Sequence, residues 1–132
     1  MSYTILLFKD NHMRFDEYDL IVASLLILNV NNAAVELHFP KMKNIWLENF
    51  ATSGNGCADL YLEDFLTKIE LEDEFLEIVE NTYKYVESNT HDNIFDLSSV
   101  YNLVSTVKIG VTRQYPSDLI LIALNGLKAL LT

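Results

Sequence analysis

The chain has 132 residues, half of them hydrophobic and 21% charged, with a formal net charge of −10. That length and apolar content supply one core without disulfides or a metal, and they exclude a disordered chain. The negative balance argues against direct binding to nucleic acid or to an anionic membrane through a basic patch, and favours a cationic partner, although acidity also serves solubility alone.

The segment before Asp10 lacks a basic region ahead of the apolar run Ile5 to Phe8, so it does not resemble a secretory signal. The single cysteine, Cys57, has no internal bridging partner, which makes a reducing cytoplasm the expected compartment. Ser2 to Phe8 is short and apolar and is predicted as a strand. Asp16, Glu17 and Asp19 then place negative charge at the start of a buried helix over Leu20 to Leu28, closed by the polar cluster Asn29 to Asn32. From Ala33 to Phe39 apolar Val35, Leu37 and Phe39 alternate with Glu36 and His38, which predicts a second strand ending before Pro40 and pairing with the first. Pro40 can open a helix carrying Met42, Ile45, Trp46 and Phe50 at helical spacing, with Trp46 as a core anchor and Gly54 beyond its end.

Ala51 to Cys57 is the clearest loop. Asp59 offers a cap for a helix with Leu62, Phe65, Leu66 and Ile69 on one face, followed by a break near Glu70 to Asp73. The strongest amphipathic signal covers Leu71 to Ser88, where Leu71, Phe75, Ile78, Val79, Thr82 and Val86 form one stripe. After the polar Ser88 to Asn93 segment, Ile94, Leu97, Val100, Tyr101, Val104 and Val107 predict a further helix closing at Lys108 and Gly110. A last helix starts near Pro116 and Ser117, with Ser117 as cap; it is apolar nearly all round, which predicts a central position, with a homodimer contact as the alternative. Neither Leu20 to Leu28 nor Leu119 to Leu131 reaches the roughly 20 residues needed to span a bilayer. The expected fold is mainly α: a single domain over residues 1–132, a bundle of about five to six helices with a small two-stranded sheet near the N-terminus, or α+β if the strands dominate.

No catalytic constellation emerges, and no enzyme activity or cofactor is expected. His12, His38 and His91 have neither another histidine nor Cys57 at a zinc-ligand spacing. Gly54, Asn55 and Gly56 lack the following lysine of a phosphate loop and the repeat of a dinucleotide fingerprint, and so read as a turn. Cys57 as a nucleophile is disfavoured by its acidic neighbours, which raise a thiol pKa. Asp73 and Glu77 share a helix face, but no polar or basic residue beside them suggests a substrate pocket.

The informative feature is charge clustering. Asp59, Glu63, Asp64, Glu70, Glu72, Asp73, Glu74, Glu77, Glu80 and Glu87 are opposed locally only by Lys68 and Lys84, a balance of −8. A field of one sign accelerates encounter with an oppositely charged partner while opposing folding through self-repulsion. A small acidic domain with this stretch and no catalytic motif resembles, as a class, the immunity proteins of bacterial toxin–immunity pairs. The resemblance implies a cytoplasmic inhibitor that occludes the active site of a basic, nuclease-type toxin domain. The expected contact residues are Glu63, Asp64, Glu70, Asp73, Glu74, Glu77, Glu80 and Glu87, with Tyr61, Tyr83 or Tyr85 as anchors. The competing expectation is a helical adaptor, homodimeric in one version, that binds its partner through an apolar groove.

Overall fold

The computed structural model describes residues 3–52, 58–100 and 113–132. The protein is mainly α, a bundle with six α-helices among the described residues and a two-stranded antiparallel sheet near the N-terminus. Strands β1 (Tyr3–Phe8) and β2 (Asn11–Asp16) form that sheet as a hairpin. Lys9 turns the chain with a φ of 54°. Leu6 and Phe8 point into the core, while Tyr3, Ile5 and Leu7 face outward. The predicted first strand is therefore present, but its partner is β2 and not residues 33–39.

Helix α1 (Glu17–Val30) follows at once, and Asp16 caps it by accepting the backbone N–H of Asp19 at 3.1 Å. Every residue from Leu20 to Leu28 is buried. This helix is the centre of the bundle: the hairpin, α2, α5 and α6 all pack against it. The chain then bends by 88° into α2 (Asn32–His38), which corrects the strand expected there. Val35 and Phe39 are buried four residues apart, whereas Leu37 between them is 75% exposed. The alternating pattern contained a helical i,i+4 pair, and Ala33 and Ala34 favour helix. Asn31 holds the corner, its Nδ2 donating to the Ile27 carbonyl at 2.9 Å and to Thr82 Oγ1 at 2.9 Å.

Helix α3 (Pro40–Thr52) buries Met42, Trp46 and Phe50 as expected. The helix expected from Asp59 is only one turn, α4 (Leu62–Phe65), because Tyr61 adopts the left-handed conformation at φ 52° and breaks the entry. The break expected at Glu70 to Asp73 falls earlier: Leu66 leaves α4, Lys68 is extended, and α5 (Ile69–Ser88) runs without interruption. Its stripe of Phe75, Ile78, Val79, Thr82 and Val86 is buried, with Leu71 half-buried.

The helix expected from Ile94 is replaced by strand β3 (Ile94–Asp96) and a 3-10 turn at Leu97–Val100. Asp92 and Asn93 take left-handed φ angles of 51° and 64°, and Asp96 Oδ1 accepts the Ser98 backbone N–H at 2.8 Å, so the local hydrogen bonds favour a turn over a helix. The rest of that prediction, including Tyr101, Val104, Val107, Lys108 and Gly110, lies outside the described residues. Strand β3 pairs with β4 (Gln114–Pro116) in a second two-stranded sheet. Helix α6 (Ser117–Leu131) ends the chain as expected. Ser117 is not its cap: it is buried as the first helical residue, and its N–H donates to the Asn93 carbonyl at 3.0 Å. Helix α6 packs on α1, α5, the N-terminal hairpin and β4, but it is not buried all round as its composition suggested, since Ile122 is 66% exposed. Among the described residues no single helix is long and apolar enough to cross a membrane.

Candidate functional site

The acidic residues singled out in the sequence do not form one patch. Helix α5 spans 20 residues, so at 1.5 Å per residue Glu70 and Glu87 stand about 25 Å apart. That distance is roughly three Debye lengths at physiological salt. The carboxylates instead fall into three groups.

The first group sits where α5 meets its neighbours, each carboxylate facing a lysine or histidine of another element. Glu72 pairs with Lys9 of the hairpin turn at 2.9 Å, Glu80 with Lys128 of α6 at 3.4 Å, and Glu74 faces His38 of α2 at 3.6 Å. These contacts tie α5 to the rest of the bundle, which gives part of the acidic cluster a structural role. The second group is Glu70, Asp73 and Glu77, spaced i, i+3 and i+7 along the outward side of α5. All three are exposed, and no ion pair engages them among the described residues. Glu70 complements the helix dipole in the first turn, whereas Asp73 and Glu77 are like charges on one face and oppose it weakly. Glu87 is likewise exposed but sits at the far end of the helix with Lys84 a turn before it.

The third group surrounds Tyr61. Asp64 and Glu63 are exposed on α4, and Glu63 Oε1 accepts the Lys9 backbone N–H at 2.6 Å. Tyr61 and Asp64 border a trough of about 650 Å³ whose other wall is α3, through Lys41, Asn44, Ile45, Glu48 and Asn49, with Phe65 at its side. Beyond Tyr61 and Asp64 a second cleft of about 230 Å³ continues past Asp59, Leu62 and Glu63 to Ile5 and Leu7 on the outer face of β1.

The trough is held in shape from below and from the side. Trp46 is fully buried and its Nε1–H donates to the Leu60 carbonyl at 2.7 Å, fixing the chain just before Tyr61. Asp59 Oδ1 accepts the Tyr61 N–H at 3.0 Å, Asn49 Oδ1 accepts the Asp59 N–H at 3.0 Å, and Asn49 Nδ2 donates to the Tyr61 hydroxyl at 3.3 Å. A left-handed tyrosine is held at a local conformational penalty, and this network is what maintains it. Further back, Ala58 is clamped from both sides: Thr4 Oγ1 donates to its carbonyl at 2.6 Å and Glu17 Oε2 accepts its N–H at 3.1 Å.

The three candidate tyrosines are separated. Tyr61 lines the trough, while Tyr83 is half-buried in a different cleft between α5 and α6 with Val79, Lys84, Leu124 and Lys128. Tyr85 lies on the opposite flank of α5, edge-on to Phe95 with ring centroids 6.1 Å apart. Tyr61 stands beside Asp59, Glu63 and Asp64, and Tyr83 shares its cleft with Glu80. Sequence reasoning missed Ile45, Asn49 and the trough they line. Ile45 was grouped with Met42, Trp46 and Phe50 as core, yet it is 40% exposed while those three are fully buried. The available signal was spacing: Met42, Trp46 and Phe50 follow i, i+4, i+8, and Ile45 falls beside that line.

Cys57 lies outside the described residues. Among the described residues no three His, Cys, Asp or Glu side chains converge as a metal site. Comparison with protein-family models, with curated proteins and with solved structures gave no match.

Proposed function

We propose that this chain is a non-enzymatic binding protein that captures a positively charged protein through the acidic side of α4 and α5. In this reading it is an immunity-type inhibitor that acts in the cytoplasm and covers the active site of a basic toxin domain of nuclease type. The observation that carries the proposal is the row Glu70, Asp73 and Glu77, exposed on the outward side of α5 and unengaged by the chain's own cations among the described residues. A nuclease must present lysines or arginines to hold nucleic-acid phosphates. A row of carboxylates with shared spacing competes for those cations and steers the encounter.

The second reading, a helical adaptor that binds through an apolar groove, is favoured by the trough between α3 and Tyr61. The two readings differ in their response to salt. A charge-steered inhibitor loses association rate steeply as ionic strength rises, and a groove binder changes little.

The test is capture of partners from the native source at low salt, followed by kinetics with the double variant Asp73→Lys, Glu77→Lys. Both positions are exposed, so the fold is expected to persist. The association rate is expected to fall about tenfold at low salt and the salt dependence to flatten. An unchanged rate with the same salt dependence would remove α5 from the contact surface.

A further inference from the structure

We infer that the trough between α3 and Tyr61 is an anchor site for a short segment of a partner protein, one that carries an aromatic or long aliphatic side chain next to a lysine or arginine. This rests on the reading of the chain as a binding protein, and it adds which surface grips the partner and what chemistry is gripped.

Shape gives the apolar half of the specification. Lys41, Asn44, Ile45, Glu48 and Asn49 follow helical spacing along one side of α3, and together they form one wall of the trough. From Lys41 to Glu48 that wall is about two helical turns long, room for two turns of helix or a few extended residues. Ile45, Phe65 and the ring of Tyr61 supply the apolar lining. The adjoining cleft prolongs it to Ile5 and Leu7, which are 59% and 64% exposed. Partly exposed aromatic and aliphatic side chains on a pre-formed wall are the usual receptors for an anchor residue.

Charge gives the other half. Asp64 lines the trough, and Asp59, Glu63 and Asp64 line its continuation, with Lys41 the one cation among the described residues that line them. A cationic side chain following the anchor along the trough would meet carboxylates, and an acidic one would be repelled. The same balance disfavours a second copy of this chain as occupant. A symmetric pair would bring two acidic troughs together between subunits that each carry −10.

The hydrogen-bonded support of Tyr61 bears on affinity, because a tyrosine held by Asn49 at its hydroxyl and by Asp59 at its backbone N–H loses little conformational freedom on binding. Sequence alone could not mark this position, since its left-handed backbone belongs to the folded chain.

A random peptide library displayed on phage, selected on the immobilised chain, tests the inference. The expected consensus places an aromatic or long aliphatic residue beside lysine or arginine. Its synthetic peptide should shift the backbone amide signals of Ile45, Tyr61 and Phe65 in an isotope-labelled sample. Ile45→Lys should weaken that peptide about tenfold or more. So should Tyr61→Gly, which removes the ring but accepts the left-handed backbone, with thermal melts verifying the fold of both. At physiological salt Asp73→Lys, Glu77→Lys should weaken the peptide far less than Ile45→Lys does. No enrichment, an acidic or purely apolar consensus, or full affinity in Ile45→Lys overturns the inference. A natural partner lost on reversal of Asp73 and Glu77 but held normally by Ile45→Lys overturns the trough and leaves the acidic inhibitor standing. The opposite pattern removes α5 and supports the trough.

Discussion

In the proposed function the outward side of α5 and the trough beside α3 work on opposite physical terms. Glu70, Asp73 and Glu77 are flexible carboxylates in water whose attraction reaches outward but is screened beyond about 8 Å at physiological salt. Tyr61, Ile45 and Phe65 act only on contact, and the left-handed tyrosine among them is fixed by hydrogen bonds before any partner arrives. In the proposed complex the first surface governs how fast a cationic partner arrives, and the second governs how long it stays. Charge density marks a steering surface from composition alone, whereas a gripping surface exists only once the backbone is placed.

The most damaging way to break the comparison is to remove the trough's support while leaving α5 charged. Trp46 is fully buried, contacts Phe75 edge-on at 6.0 Å and Phe50 at 6.4 Å, and anchors Leu60. Trp46→Ala is expected to lower unfolding free energy by about 3–5 kcal/mol through the cavity it leaves. Trp46→Phe keeps most of the volume but strips the Leu60 carbonyl of its donor, a loss of about 1–3 kcal/mol. Urea denaturation measures both. The Phe variant is the sharper probe: binding at the trough should weaken while the salt dependence of partner association is retained. An unchanged denaturation midpoint in Trp46→Phe would mean that the indole bond does not hold the approach to Tyr61.

How much of this was legible in the sequence follows from the same contrast. The start of α1 was written in Asp16, its burial in the unbroken run from Leu20 to Leu28, and the inner face of α5 in the spacing of Phe75, Ile78, Val79, Thr82 and Val86. These signals are local and periodic, so neighbouring residues suffice to read them. What failed depended on distant partners or on single backbone angles. Val35, Leu37 and Phe39 alternate, but only the fold decides that Leu37 meets water. Strand β3 needs Gln114 to Pro116 as its partner, far along the chain. Ile122 and Leu119 made α6 look buried all round, yet both are exposed. The acidic cluster was correctly counted, but its division into paired flanks and an open row needed the positions of Lys9, His38 and Lys128.

A smaller effect is expected where neither surface is touched. Tyr115 lines neither of them; its hydroxyl donates to Asp19 Oδ1 at 2.6 Å, tying β4 to α1. Burial, reinforced by the Asp19 carboxylate, raises the Tyr115 pKa above its ordinary 10.0, and burial raises that of Asp19 above 3.8, offset in part by the tyrosine's hydrogen bond. A raised tyrosine pKa means the folded state favours the neutral phenol. The stability it lends is fully present below pH 10 and lost as pH rises beyond it. For Asp19 the linked contribution is present only in acid and is lost as pH rises above 3.8. Tyr115→Phe should therefore lower stability by about 1–2 kcal/mol at neutral pH, and the deficit should close above pH 10. A constant deficit across that range, followed by urea denaturation, would separate Tyr115 from the alkaline loss. Both recognition surfaces should behave as in the unaltered protein.

The smallest expected change is the one that separates steering from stability most cleanly. Lys128 pairs with Glu80 at 3.4 Å, with both side chains substantially exposed, so the pair contributes less than about 1 kcal/mol to folding. Lys128→Ala removes that cation and releases Glu80 on the flank of α5, making the local field more negative without altering the trough. Thermal stability should barely move, peptide affinity at the trough should stay constant, and the association rate with a cationic partner should rise by less than about threefold at low salt and converge with the unaltered rate at high salt. A rate that falls would mean the Lys128–Glu80 pair positions the contact surface itself. Steering would then depend on a fixed geometry between α5 and α6, and the division between a diffuse charged face and a shaped trough would no longer hold.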